Sequence, residues 1–455
     1  MTANIENNDS NENKLEKLLS HQHSYQNEFH EAVKEVYEDV AAARLDMTQD
    51  EIFSTFERLI EPDRTLRFRV EWFDDNNILQ VNRGYRVQFN NSFGPYKGGL
   101  RFHPSVNESV LKFLGFEQTF KNILTGLPMG GAKGGSDFDP KGKSDHEVRR
   151  FCQAFMSELY RHIGPDTDVP AGDFGVGARE IGYLYGQYNK LTNTYNTGTL
   201  TGKDLALGGA RGREEATGFG CVYFLEEALA ANEMKKIKNR RVAISGSGNV
   251  ALHCAQKIIE REGVVISVSD SGGTLFFKEG LSMKTLEQLK IHKFKKRGRL
   301  KEFDSGSSKS EFQAGENPWS LNCEIAIPCA TQNELNVEDA KALVSNGLEA
   351  VCEGANMPLT AGAIKYISEK KVLFLPAKAA NAGGVAVSGF ERTQNASHSS
   401  EPQKTILSRL KSTMIDIHRH CSEDVEKENG LIPYKKGANL YAFRKLVYIM
   451  RALNG

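Results

Sequence analysis

The chain of 455 residues is too long for one ordinary domain and implies two or three. With 39% hydrophobic residues it can bury a sizeable core, and 58 basic side chains against 58 acidic ones exclude a whole-chain attraction to nucleic acid or an anionic membrane. No run is apolar and long enough to cross a bilayer, and seven cysteines without a CxxC pair fit a reducing cytoplasm, with the thiols acting as small apolar residues and no metal-ligand spacing.

Met1 to Lys14 are rich in Asn and Glu, with no Arg and no apolar stretch. They read as a frayed, solvated tail rather than a secretory or transit peptide. Apolar residues recur at helical period from about Leu15 to Leu45. Pro62 separates this region from a β-rich stretch, where Arg67–Phe73 and Ile78–Phe89 flank Asp74-Asp75-Asn76-Asn77 in a hairpin pattern. A helix is expected from about Val106 to Leu124. A glycine-dense loop, Gly130-Gly131-Ala132-Lys133-Gly134-Gly135, comes next, and then a helix from about Asp145 to His162.

The middle of the chain alternates short apolar runs with helical segments: Val242–Ser245, Val264–Val268, Glu324–Ile327, Leu348–Val351 and Val372–Leu375. That alternation predicts a parallel, doubly wound sheet. Gln403 to Leu453 returns to helix. The expected class is therefore α/β. An N-terminal α/β domain runs to about residue 205, a Rossmann-like dinucleotide domain spans 206–385, and C-terminal helices, 386–455, pack back across both.

Val242-Ala243-Ile244-Ser245 leads into Gly246-Ser247-Gly248-Asn249-Val250-Ala251, a GxGxxA pattern between a strand and a helix that includes His253 to Ile259. Gly246 permits the tight turn, Gly248 lets a pyrophosphate approach the backbone, and Ala251 keeps helix and strand close. The helix N-terminus supplies free N–H groups and a positive dipole end. The alternative is a glycine-rich turn that binds nothing, and the β-like runs that follow argue against it. Asp270 ends the next run; by the general rule a carboxylate here bonds ribose hydroxyls and favours NAD. Against it stand Ser269, Ser271 and the cluster Lys293-Phe294-Lys295-Lys296-Arg297-Gly298-Arg299. The cluster reads as a phosphate clamp, as a solvated helix end, or as a short RNA-binding patch, although it lacks interleaved aromatics.

Three lysines stand in unusual settings: Lys97 in Pro95-Tyr96-Lys97-Gly98-Gly99-Leu100-Arg101-Phe102, Lys121 on an otherwise apolar helix, and Lys133 among glycines. Each alone reads as a surface residue. Two lysines flanked by glycine pairs point instead to a pocket for a doubly anionic small molecule, because glycine lets a ligand or another backbone come close. Asp173, in Asp168-Val169-Pro170-Ala171-Gly172-Asp173-Phe174-Gly175-Val176-Gly177, reads either as a turn cap or as an acid/base beside a desolvated lysine. Burial among positive charges lowers a lysine pKa toward ~7–8, the range that proton transfer at neutral pH needs.

At these segments, and at Gln118 to Lys121, Pro128 to Pro140, Glu215-Ala216-Thr217-Gly218 and Ala377 to Gly389, the chain resembles the small hexameric glutamate dehydrogenases, within the Glu/Leu/Phe/Val dehydrogenase superfamily. The resemblance runs in order from about residue 30 to the C-terminus. It implies that Lys97 and Ser388 hold the substrate side-chain carboxylate, and that Lys121 and Gln118 hold the α-carboxylate. Lys133 is implied to be the catalytic lysine, Asp173 its acid/base partner, and Thr217 and Asn381 neighbours of the nicotinamide. Related leucine and phenylalanine dehydrogenases typically carry apolar residues in place of Lys97 and Ser388. Ser269-Asp270-Ser271, with Lys293 and Arg299, resembles the NADP-using members, which leaves NAD as the alternative; the link Gly209-Ala210-Arg211-Gly212-Arg213-Glu214 departs from their usual pattern. The implied partners are L-glutamate, 2-oxoglutarate, ammonium and copies of the same chain in a homohexamer, run toward ammonia assimilation, with no nucleic acid, membrane or metal. A leucine- or phenylalanine-type dehydrogenase and a silent dinucleotide sensor are the remaining readings.

Overall fold

The structure, a computed structural model, describes residues 14–20, 26–304, 306 and 309–454. The expected tail up to residue 13, and residues 21–25 of the first helical region, lie outside them. The chain forms two compact units: residues 1–211, 388–402 and 439–455 make one, and residues 212–387 and 403–438 the other.

The first unit is built on a five-stranded mixed sheet. Its strands are β1 (Arg64–Phe73), β2 (Leu79–Asn90), β3 (Tyr96–Phe102), β4 (Gly131–Ser136) and β5 (Asp168–Gly172), in the order β1-β2-β4-β3-β5. The expected hairpin joins β1 to β2 antiparallel; Asp74 Oδ1 accepts from the N–H of Asn76 and Ile78, and Asn77 takes the left-handed conformation at φ 61°. β3 runs parallel to both β4 and β5. Helix Asp145–Leu159 starts in a capping box between Ser144 and Glu147 and buries Phe151 and Phe155 against Phe102 and Phe138. Phe138 and Phe151 stack at 3.8 Å between ring centroids.

The expected glycine loop at residues 130–135 is instead β4, buried at every position. Alternation could not reveal this strand, because glycines carry no side chain to alternate and both faces are covered. Helix Glu108–Leu124 packs so closely that a Cβ on Gly131 would lie 1.9 Å from Thr119 Oγ1.

The second unit carries a seven-stranded sheet in the order β12-β11-β10-β6-β7-β8-β9. Its strands are β6 (Arg241–Ile244), β7 (Val264–Asp270), β8 (Gly273–Phe277), β9 (Ser310–Ala314), β10 (Ile325–Ile327), β11 (Ala350–Cys352) and β12 (Leu373–Leu375). Five strands are parallel, with order reversing between β6 and β10. The sheet departs from the all-parallel expectation at one edge, where β7, β8 and β9 run antiparallel. The cause is local: Ser271-Gly272 forms a tight turn, with Asp270 Oδ1 accepting from Gly272 N–H, so the chain reverses instead of crossing over. The C-terminal region is two helices, Gln403–Ser422 and Tyr434–Asn454. Among the described residues no helix is long and apolar enough to cross a membrane.

Candidate active site

Alternation along β3 puts Lys97, Gly99 and Arg101 on one face. Leu100 pairs with Gly134, so Lys133, one place earlier on β4, neighbours Gly99. Gly99 makes room on that face for Asp173, since a Cβ there would sit 2.7 Å from Asp173 Cβ. Asp173 follows β5, in a turn closed by Val176 N–H to its carbonyl. Its carboxylate does not cap the next helix, which Glu180 caps at Gly177 N–H. Instead Asp173 Oδ2 lies 2.9 Å from Lys133 Nζ and 2.9 Å from Arg101 Nε.

The electrostatics follow from this geometry. Lys133 is 5% exposed. Burial pushes its pKa below the usual lysine value and the nearby Arg101 and Arg86 push the same way, against the pull of Asp173. Burial alone would raise the pKa of Asp173, but Lys133 and Arg101 together outweigh it and hold the carboxyl below the usual carboxylate range. A lysine poised toward neutrality thus touches a carboxylate that stays ionised.

Lys97 is 3% exposed, and its Nζ donates to Thr201 Oγ1 at 2.7 Å. Thr201 Oγ1 lies 2.6 Å from Ser388 Oγ. Lys97 and Ser388, the two residues paired by resemblance, are therefore joined through a hydroxyl that the sequence did not single out. Gln118 donates to Asn122 Oδ1 at 2.7 Å, and Asn122 donates to Lys97 O at 3.1 Å, so helix Glu108–Leu124 is fastened to β3 beside Lys97. Lys121 is half-buried on that helix, three residues beyond Gln118.

Beneath the lysines lies a buried ion pair absent from the sequence reading. Arg86 Nε donates to Asp168 Oδ2 at 2.8 Å, Gln88 Nε2 donates to the same oxygen at 3.0 Å, and Arg86 Nη1 donates to Gly98 O at 3.1 Å. Gly134 gives Arg86 its path, since a Cβ there would lie 2.9 Å from Arg86 Cδ. Most of the glycines around the lysines thus serve backbone and side-chain packing within the protein. Signals existed for Arg101, at even spacing from Lys97, and Asp168 opens the segment quoted for Asp173, but nothing in the sequence joined Asp168 to Arg86, or Thr201 to Lys97, because these partners come from distant segments.

In the second unit, Gly246 adopts φ +81° directly after β6, and its N–H donates to Ser269 Oγ at 2.9 Å. Ser247 is buried, Gly248 is exposed, and Asn249 and Val250 are half-buried at the start of helix Asn249–Glu260. No side chain caps that helix, and a Cβ on Gly248 would meet nothing within 4 Å. Its first N–H groups and the space before them fit a pyrophosphate. Thr217 is half-buried near the start of helix Ala216–Ala231. Asn381 Nδ2 donates to Gly354 O and Ala355 O, both at 3.2 Å, and to Asn356 Oδ1 at 3.0 Å.

The Asp270 carboxylate faces protein donors. Oδ1 accepts from Gly272 N–H at 2.9 Å and Oδ2 from Leu300 N–H at 3.0 Å, with Lys293 Nζ 3.7 Å from Oδ2. Arg299 Nη1 donates to Ser271 Oγ at 2.9 Å. Burial opposes ionisation of Asp270, yet the two N–H groups with Lys293 and Arg299 hold its pKa below the usual carboxylate range. The cluster divides in two: Lys293 and Arg299 turn toward Asp270 and Ser271, while Lys295, Lys296 and Arg297 are exposed. The general expectation that an acid here repels a 2′-phosphate loses its force, because that acid is neutralised by its neighbours.

The family described as Glutamate/Leucine/Phenylalanine/Valine dehydrogenase matches residues 208–453, and the Glu/Leu/Phe/Val dehydrogenase dimerisation domain matches residues 62–190. The NADP-specific glutamate dehydrogenase of Psychrobacter sp. (strain TAD1) is 50% identical over 430 residues, 93% of this chain and 95% of that protein. That of Helicobacter pylori (strain ATCC 700392 / 26695) is 49% identical over 449 residues, 96% of this chain and 98% of that protein. The crystal structure of Plasmodium falciparum glutamate dehydrogenase superposes with a TM-score of 0.95 at 48% identity, covering 98% of this chain and 95% of that one.

Proposed function

The chain belongs to the Glutamate/Leucine/Phenylalanine/Valine dehydrogenase family, and from that premise we infer that it is an NADP-dependent glutamate dehydrogenase, interconverting L-glutamate with 2-oxoglutarate and ammonium. One observation carries the substrate assignment: the buried Lys97 ammonium with the Thr201 and Ser388 hydroxyls in line beside it. A cation held away from water favours an anionic ligand, and the glutamate side chain supplies one where leucine does not.

In this reading Lys97 and Ser388 hold the side-chain carboxylate, and Gln118 and Lys121 hold the α-carboxylate. NADP, when bound, supplies the two-electron acceptor for the Cα hydrogen. Gly246, Ser247, Gly248, Asn249 and Val250 hold its pyrophosphate, Ser269, Ser271, Lys293 and Arg299 its 2′-phosphate, and Thr217 and Asn381 its nicotinamide end. Asp173, the carboxylate in contact with Lys133, accepts the proton that leaves the substrate amino group. Lys133, pushed toward its neutral form, takes a proton from the water that attacks the substrate imine carbon. Asp173 returns its proton to the departing nitrogen, leaving 2-oxoglutarate and ammonium. The physiological direction in this reading is the reverse, ammonia assimilation, and the assembly is a homohexamer; the dimerisation-domain match supports self-association of copies of the chain.

Initial rates with glutamate, leucine and phenylalanine, each with NADP and NAD, test the assignment. Glutamate with NADP is expected to give the highest kcat/KM; a higher value for an apolar amino acid, or for NAD, overturns it. Light scattering on the purified protein tests the hexamer.

A further inference from the structure

Ser388 lies on helix Gly383–Ala396, and Glu391 follows it by one turn. Glu391 is fully buried, and its carboxylate is spent on the segment that carries Thr201. Oε2 accepts from Gly202 N–H at 3.0 Å, and Oε1 from Lys203 Nζ at 2.8 Å and Lys203 N–H at 3.4 Å. Gly202 takes φ +84°, which turns its N–H toward that carboxylate. On the other side, Thr201 N–H donates to Pro170 O at 3.0 Å, which ties the segment to β5, the strand next to Lys97. The hydroxyls of Thr201 and Ser388 therefore meet because both are held at a second point: Thr201 by β5, and the 202–203 backbone by Glu391.

We propose that Glu391 is a positioning residue for substrate specificity: by accepting the Gly202 N–H it locks Thr201 against Ser388, and so sets the Lys97–Thr201–Ser388 line that receives the side-chain carboxylate of a dicarboxylic amino acid. This rests on the glutamate reading above. Glu391 touches no substrate in it; its effect passes through the two hydroxyls. Lys203 is the counter-charge that lets the carboxylate be buried, and its Nζ also donates to Leu200 O in the same segment; both double variants below lack it equally.

The test separates docking from charge and from folding. Glu391→Leu with Lys203→Met replaces the ion pair by apolar groups, which buried pairs often tolerate, and removes the acceptor for Gly202 N–H. Glu391→Gln with Lys203→Met also lacks the charges but keeps an amide oxygen that accepts that N–H. L-Norvaline, which has a methyl where glutamate has the side-chain carboxylate, is the control substrate. The Leu/Met variant is expected to lose about 10- to 100-fold of its kcat/KM for glutamate relative to norvaline, mostly through KM, as for loss of a charge-assisted contact. The Gln/Met variant is expected to recover most of that ratio.

A Leu/Met variant that keeps the wild-type ratio overturns the proposal. So does an equal loss on both substrates, or a Gln/Met variant as impaired as Leu/Met. Failure of the glutamate reading itself would show separately, as a wild-type protein with no preference for glutamate over norvaline.

Discussion

The dinucleotide loop and the lysine sheet would, in the proposed roles, bind their ligands by opposite means. After β6 the groups proposed to face the cofactor are mostly backbone: Gly246 at φ +81°, an open Gly248 and the uncapped start of a helix. On β3 and β4 the groups proposed to face the substrate are charged side chains held almost wholly out of water, on strands brought together by the fold. Backbone sites are contiguous in the chain and tolerant of side-chain change. Side-chain sites draw on distant segments, and each charge depends on its neighbours. Single truncations should therefore damage catalysis far more on the lysine sheet than at the dinucleotide loop.

The largest expected effect is at Lys133. Lys133→Ala should lower kcat for glutamate oxidation by about 10²–10⁴-fold, the usual range for a lost acid/base group, with NADPH binding by fluorescence titration retained. Near-normal turnover would break the comparison at its strongest point. Next is Lys97→Leu, which should cut the kcat/KM preference for glutamate over norvaline by about 100-fold, as loss of a buried charged contact does. An unchanged preference would mean that the carboxylate is held elsewhere.

In the other unit, Lys293→Ala with Arg299→Ala should raise KM for NADPH by about tenfold and leave NADH within about twofold, the pattern of lost phosphate contacts. Equal losses for both cofactors would return the cluster to a purely structural role. The smallest expected effect concerns acid stability. His418, half-buried with its Nε2 2.8 Å from the Tyr434 hydroxyl, has its pKa pushed down by desolvation from 6.5 to about 4. The unfolded chain takes up that proton first, so the contribution is complete above about 6.5 and lost as pH falls toward about 4. His418→Gln should flatten thermal stability against pH across that window; an unchanged slope would assign the acid sensitivity elsewhere.

This contrast also explains what the sequence could reveal. The short strands β6, β7, β10, β11 and β12 stood out as apolar runs, and the GxGxxA turn as a contiguous motif. The antiparallel edge β8–β9 did not, because Ser310–Ala314 is half-exposed and carries no apolar run. Glycine hid β4, since a strand without side chains has no alternation to read. Lys97, Lys133 and Asp173 were legible from odd chemistry in glycine-rich settings. Their purpose was only half legible, because Gly98, Gly99, Gly131 and Gly134 make room chiefly for the protein's own backbone and side chains. Thr201, Arg86 and Glu391 sit in unremarkable stretches, and Asp168 lies in the Asp173 segment without a role of its own there; only tertiary contact gives the four meaning.

The claim on which the rest depends is that Lys133 works in its neutral form, poised by burial and by Arg101 against the pull of Asp173. The pH dependence of kcat for glutamate oxidation tests it directly in the wild type and in Arg101→Met. With the neutral amine as the active form in this account, kcat should rise with pH through a pKa below that of an ordinary lysine. Removing the Arg101 charge should move that limb toward higher pH. A limb that stays in place in Arg101→Met, or a kcat that falls as pH rises through the same range, would contradict the account.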